Sequence, residues 1–115
     1  MKDQNNRITS EQYFHMLPEK LNCAQAILKG FQDEFSISDR EIEDYRAFGG
    51  GRVQDGICGA LFSAERLLRQ AGKPGITDEF NALAGEIHCK EIKDLKFPCI
   101  DCVRIADRLI EEKIK

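Results

Sequence analysis

Pro98-Cys99-Ile100-Asp101-Cys102-Val103-Arg104-Ile105-Ala106-Asp107-Arg108-Leu109-Ile110 is the stretch whose reading decides the fold. Proline is favoured at the first position of a helix, where its missing N–H costs no hydrogen bond. Each later residue turns the chain by about 100°. Cys99, Cys102, Val103, Ala106, Leu109 and Ile110 therefore share one face, which must pack inward. The pattern predicts a helix running to about Lys113, with the charged residues from Arg108 to Lys115 on a solvated face.

The same grammar repeats upstream. Thr77 reads as the cap of a helix whose buried stripe is Phe80, Leu83, Ala84 and Ile87. Asp55 reads as the cap of Gly56 to Ala71, which Gly72 and Pro74 stop. Ser38 with Glu41 opens a helix to about Ala47, and Phe48-Gly49-Gly50-Gly51 breaks it. Asn22 with Gln25 forms a capping box ahead of Ile27, Leu28, Phe31 and Phe35. Ser10 caps a short first helix that stops near Pro18, and residues 1–8 read as a flexible tail. No run alternates apolar and polar residues for long enough to make a strand. The expectation is an all-α, compact single-domain bundle of five or six short helices over residues 9–115.

Seventeen basic residues are scattered among twenty acidic ones, for a net charge of −3, and no basic run interleaves with aromatics. That excludes a nucleic-acid surface, which needs clustered positive charge. No apolar run is long enough to cross a bilayer. The polar start, Met1-Lys2-Asp3-Gln4-Asn5-Asn6, lacks the apolar segment of a secretory signal, so a cytoplasmic location is expected.

In that compartment five cysteines point to metal or redox work rather than structural disulfides. Cys23, Cys58, Cys99 and Cys102 sit in or beside predicted first helical turns. Cys89 follows His88 near the end of another helix. A helix start carries roughly half a unit of positive charge, which lowers a thiol toward the thiolate that attacks disulfides and ligates metals. The Cys99-x-x-Cys102 spacing lets both sulfurs reach one metal, or each other. Gly56 and Gly59 flank Cys58 at positions where helices disfavour glycine, so something must approach that backbone closely. Gly49 to Gly51 lacks the Gly-Lys-Ser/Thr ending and the preceding strand of a nucleotide loop. His88 and His15 read as surface, capping or core residues before they read as ligands, and no carboxylate pair stands out as acid and base.

Asn22-Cys23-Ala24-Gln25-Ala26-Ile27-Leu28, the glycine-rich stretch into Cys58-Gly59-Ala60, Gly85-Glu86-Ile87-His88-Cys89, and Cys99 ahead of Val103-Arg104-Ile105-Ala106 together resemble a known family. It is the family of redox-active proteins named for a C…GCAxxG…C…C cysteine layout. The likeness covers roughly residues 13 to 112. It implies that Cys23, Cys58, Cys89 and Cys99 are the family's four cysteines and that Cys102 is an addition. The central motif departs from the family's pattern: Ile57 precedes Cys58, Gly59 and Ala60 follow it, and Ser63 stands where the closing glycine is expected.

Three functions follow as expectations. Cys23, Cys58, Cys89 and Cys99 could hold an iron–sulfur centre ([2Fe–2S]) or another metal for electron transfer. Alternatively, Cys99 and Cys102 form the working pair of a thiol–disulfide oxidoreductase or redox sensor. The third expectation is a structural zinc domain. The partners to expect are a redox protein or a small thiol, with a homodimer left open.

Overall fold

The computed structural model describes residues 9–14, 21–48, 53 and 56–114. The expected breaks at Pro18 and at Gly49 to Gly51, the Asp55 cap, His15 and the tail lie outside these residues. The chain folds as α1 (Ser10–Tyr13), α2 (Cys23–Gly30), α3 (Gln32–Phe35), α4 (Asp39–Asp44) followed by a 3-10 turn (Tyr45–Phe48), α5 (Gly59–Gln70), α6 (Thr77–Ala84), α7 (Cys89–Asp94) and α8 (Cys99–Ile114). Two of the helices, α1 and α3, are single turns, and the other six are longer. The architecture is all-α, as the capping pattern predicts. Two isolated β-bridges, Phe14 with Leu21 and Ile57 with His88, are the only sheet-like pairings among the described residues. No described helix is long and apolar enough to cross a membrane.

Three helices make the core. α2 packs on α5, and α8 packs on both, while α1 lies against α2 and α8 and α6 covers α8. Small residues set the spacing: Ala24, Ala26, Ala60, Ala64 and Ala106 are fully buried where these helices cross. Ile27, Leu28, Phe31, Leu67, Leu68, Phe80, Val103 and Ile110 fill the remaining space. The radius of gyration, 12.9 Å, is what a close-packed domain of about 100 residues shows.

Several boundaries differ from the sequence reading, each for a physical reason. Thr9, not Ser10, precedes α1, because the Thr9 N–H is taken by the Gln12 side chain at 2.9 Å. Ser10 is instead buried on α8, where its N–H donates to the Asp107 carboxylate at 2.7 Å. The helix expected from Gly56 starts at Gly59, because Gly56 takes a φ of +73° in a turn closed by its N–H on the Val53 carbonyl. Thr77 is the first residue of α6 rather than its cap. Glu65 of α5 does the capping, accepting from the Ile76 N–H at 2.8 Å and the Thr77 hydroxyl at 2.6 Å. Of the stripe expected over Phe80, Leu83, Ala84 and Ile87, only Phe80 and Ala84 are buried: Leu83 points outward, 57% exposed, and Gly85 adopts a left-handed φ of +88° that stops α6 before Ile87. A separate helix, α7, then begins at Cys89.

Candidate functional site

All five cysteines line one small cavity of about 20 Å³, together with Ile92 and Lys93. They reach it from four helices whose starts converge. Cys23 opens α2, placed by the Asn22 capping box: the Asn22 side chain accepts from the Gln25 N–H at 2.8 Å, and the Gln25 side chain accepts from the Asn22 N–H at 3.1 Å. The Asn22 amide also donates to the Arg46 carbonyl at 3.0 Å, tying α2 to the 3-10 turn Tyr45–Phe48. Cys58 is the residue just before α5. Cys89 is the first residue of α7, not near the end of a helix as the sequence reading had it. Cys99 opens α8, with Cys102 one turn further on.

Backbone bonds hold these starts together. The Cys58 N–H donates to the Ile87 carbonyl at 2.9 Å, inside the antiparallel bridge between Ile57 and His88. This pairing fixes the Cys58 and Cys89 ends against each other. The Pro98 carbonyl accepts from the Asp101 and Cys102 amides at 3.0 and 3.3 Å, so α8 begins its first turn with both cysteines in place. The close approach expected beside Cys58 is real: a Cβ on Gly59 would lie 2.8 Å from Cys23 Sγ and 2.9 Å from the Phe48 carbonyl oxygen. Ser63 is fully buried and donates its hydroxyl to the Ala24 carbonyl at 2.9 Å. It thereby links α5 to α2 by a hydrogen bond.

No disulfide joins the five cysteines, and their thiols are mostly buried. Cys23, Cys58, Cys89 and Cys102 are 7%, 4%, 8% and 2% exposed, and Cys99 alone is half-buried. The Cys58 thiol hydrogen-bonds to both Cys102 and Cys23. Its bond to Cys102 is the main force pushing its pKa up from 9.0 to about 12; burial adds to the rise, while the bond to Cys23 opposes it. The helix-start amide of Leu61 does lower the pKa, but it is the weakest of these influences. The Cys99 thiol is also raised, first by burial and then by the nearby Cys23 and Cys89, with Lys93 pulling the other way. The expectation that helix starts depress these two thiols therefore fails. Burial and the crowding of sulfur with sulfur outweigh the helix charge and, at Cys99, the pull of Lys93.

His88 is the N-cap of α7 and pairs through Nδ1 with Glu86 at 3.1 Å. Lys93 and Ile92 are the cavity residues that sequence reasoning missed. Their signal was the three- and four-residue spacing from Cys89, legible only once α7 is recognised.

The cavity suits a soft cation in donor chemistry and in room. Thiolates prefer such ions, and about 20 Å³ accommodates one water-sized occupant. A [2Fe–2S] core, with four atoms of its own, would need the walls to move apart. The geometry is not preformed: among the described residues, no three His, Cys, Asp or Glu side chains stand where they could hold a metal ion together. Binding would draw the sulfurs inward and strip their protons. No family model, curated protein or solved structure matches this chain, so its likeness to the cysteine-motif family rests on the residues themselves.

Proposed function

We propose that the five-cysteine cavity is a thiolate-held metal centre that works in electron transfer, in keeping with the redox-active cysteine-motif family that the sequence resembles. The observation that carries this reading is the convergence of cysteines from four helices, scattered from residue 23 to residue 102, on one cavity. Separate core fillers have no reason to meet. An iron held there would supply the one-electron step.

The chain's own residues do the rest. Cys23, Cys58, Cys89 and Cys99 offer four sulfurs, the number that fills a tetrahedral site. The amides of four helix starts offset the negative charge of a thiolate-bound ion. Ile92 and the surrounding core keep water out, and half-buried Cys99 beside Lys93 brings the centre nearest the surface. A redox protein or a small thiol in the cytoplasm is the partner such a site would serve. Anaerobic purification followed by a visible spectrum and metal and sulfide analysis tests the reading. Iron bound without sulfide, or with it, separates a single ion from a cluster. Protein that carries no metal and takes up neither Fe²⁺ nor Zn²⁺ overturns the reading. Zinc alone, in a redox-silent protein, would make the site structural.

One observation favours a second reading, thiol–disulfide chemistry. None of the five cysteines is held in a disulfide, and Cys102 hydrogen-bonds across the cavity to Cys58. A dithiol built on this contact would use Cys58 and Cys102, rather than the Cys99 and Cys102 pair that the sequence spacing suggests. Disulfide mapping after mild oxidation of metal-free protein decides it: a Cys58–Cys102 bridge that forms and is reduced reversibly supports dithiol work.

A further inference from the structure

Any thiol exchange in the cysteine cavity has to begin from outside, and the packing leaves one place for it. Cys23, Cys58, Cys89 and Cys102 are between 2% and 8% exposed, whereas Cys99 is half-buried, and Lys93, which lines the cavity with it, is exposed. The cavity of about 20 Å³ holds one water-sized occupant. A single sulfur atom fits such a space, but the carbon skeleton of a disulfide molecule does not. A disulfide arriving from solution therefore meets Cys99 and none of the other four. Cys102 stands behind it, three residues along α8 and so a neighbour on the same helix face. Cys102 in turn shares the cavity wall with Cys58, the residue just before α5.

Resting on the thiol–disulfide reading above, we propose that Cys99 is the entry thiol of a three-cysteine relay, which is oxidised by a small carboxylate-bearing disulfide and stores the bridge between Cys58 and Cys102. The relay is three exchanges, each the attack of one sulfur on a disulfide sulfur. Cys99 attacks the small disulfide RS–SR: a Cys99–SR bond forms, the RS–SR bond breaks, and one RSH leaves with the Cys99 proton. Cys102 then attacks the Cys99 sulfur, closing a Cys99–Cys102 bridge and releasing the second RSH with the Cys102 proton. Last, Cys58 attacks the Cys102 sulfur, and its proton goes to the freed Cys99. One small disulfide is reduced to two thiols, and the thiols of Cys58 and Cys102 are oxidised to one bridge. The R group stays outside throughout, where exposed Lys93 offers its carboxylate a cation to pair with. Cys58 and Cys102 are 4% and 2% exposed, so the stored bridge leaves only by the way it came, through Cys99.

The test treats the whole metal-free chain with oxidised glutathione, quenches with acid at intervals and maps the disulfides by mass. In the wild type, glutathione on Cys99 should appear first, the Cys99–Cys102 bridge next and the Cys58–Cys102 bridge last. That order is read without any substitution, so it does not depend on a variant folding. Cys102→Ser should stall with glutathione on Cys99, and Cys58→Ser with the Cys99–Cys102 bridge. Cys99→Ser should slow the appearance of the Cys58–Cys102 bridge by roughly 10-fold or more, since exchange needs an accessible sulfur. Lys93→Glu should lower the rate with oxidised glutathione, which is anionic, relative to cationic cystamine, by about 3-fold, the scale of an exposed charge pair. A first adduct on another cysteine, no adduct at all, or a bridge that closes as fast in Cys99→Ser overturns entry through Cys99. An unchanged ratio in Lys93→Glu overturns the choice of a carboxylate-bearing disulfide. A wild type that takes glutathione on Cys99 yet closes no internal bridge marks the failure as that of the thiol–disulfide reading itself.

Discussion

Gly59 is a glycine because Cys23 Sγ lies where its side chain would begin. A Cβ built at Gly59 would stand 2.8 Å from that sulfur and 2.9 Å from the Phe48 carbonyl oxygen. Neither neighbour yields cheaply, since the carbonyl is backbone and Cys23 is held by the first turn of α2. Gly59→Ala should therefore cost about 1–3 kcal/mol, as overpacking does, despite alanine's better helix propensity. It should also push the Cys23 sulfur out of line with the cavity. Chemical denaturation measures the first effect and metal uptake the second. A variant as stable as the wild type would mean that α2 and α5 can separate without loss.

Asn22 sets the position of Cys23 by capping α2 and donating to the Arg46 carbonyl. Asn22→Ala should lower stability by about 1–2 kcal/mol, the usual range for a lost cap. Because the cap holds the first turn, the variant should also expose Cys23 to alkylation that spares it in the wild type. Asn22→Asp keeps the acceptor and should recover most of the stability. Denaturation curves and mass mapping of labelled thiols report the two effects separately.

The sequence shows most plainly what local chemistry alone determines. The Asn22 and Gln25 box, the Ser38 N-cap and the inward face of α8 all follow from residues within one or two turns. What it hid was decided by distant partners. Glu65 caps α6 from another helix, so Thr77 looked like the cap. α7 is six residues long and is anchored by the bridge between Ile57 and His88, so no periodic stripe announced it. The cysteines were legible as a group, and placing four of them at helix starts was close to the mark. The direction in which Cys58 and Cys99 titrate was not, because it depends on which sulfurs face one another.

That direction has a consequence for the metal-free protein. Cys58 titrates near 9.0 when unfolded and at about 12 when folded, so between these values the native state binds more protons than the unfolded state. Stability then falls as pH rises. The contribution is intact below pH 9 and lost progressively toward pH 12, amounting to a few kcal/mol. Denaturation midpoints of metal-free wild type and Cys58→Ser, measured across that range, should converge with rising pH. A bound cation inverts the effect, since it needs the thiolate, so the loaded protein should resist the alkaline loss. Parallel alkaline curves for the wild type and Cys58→Ser in the metal-free state would contradict the assignment.

Access decides the order in which the thiols react, and it singles out Cys99. Four cysteines are at most 8% exposed, whereas Cys99 is half-buried beside Lys93. Alkylation needs a thiolate that the reagent can reach. Burial and the neighbouring Cys23 and Cys89 raise the Cys99 thiol, and Lys93 is what opposes them. In metal-free protein at neutral pH, iodoacetamide should therefore label Cys99 first, yet more slowly than it labels a free thiol. Lys93→Glu should slow that labelling further, by about 3-fold, the scale of an exposed charge pair. If labelling reaches Cys102 as fast as Cys99, the cavity opens more widely in solution than the packing around it allows. Metal loading should protect Cys99 with the rest, because a coordinated thiolate has lost its nucleophilic lone pair to the ion. Protection of the four buried thiols without Cys99 would place Cys99 outside the ligand set, make Cys102 the fourth ligand, and return the surplus thiol to the mouth of the cavity.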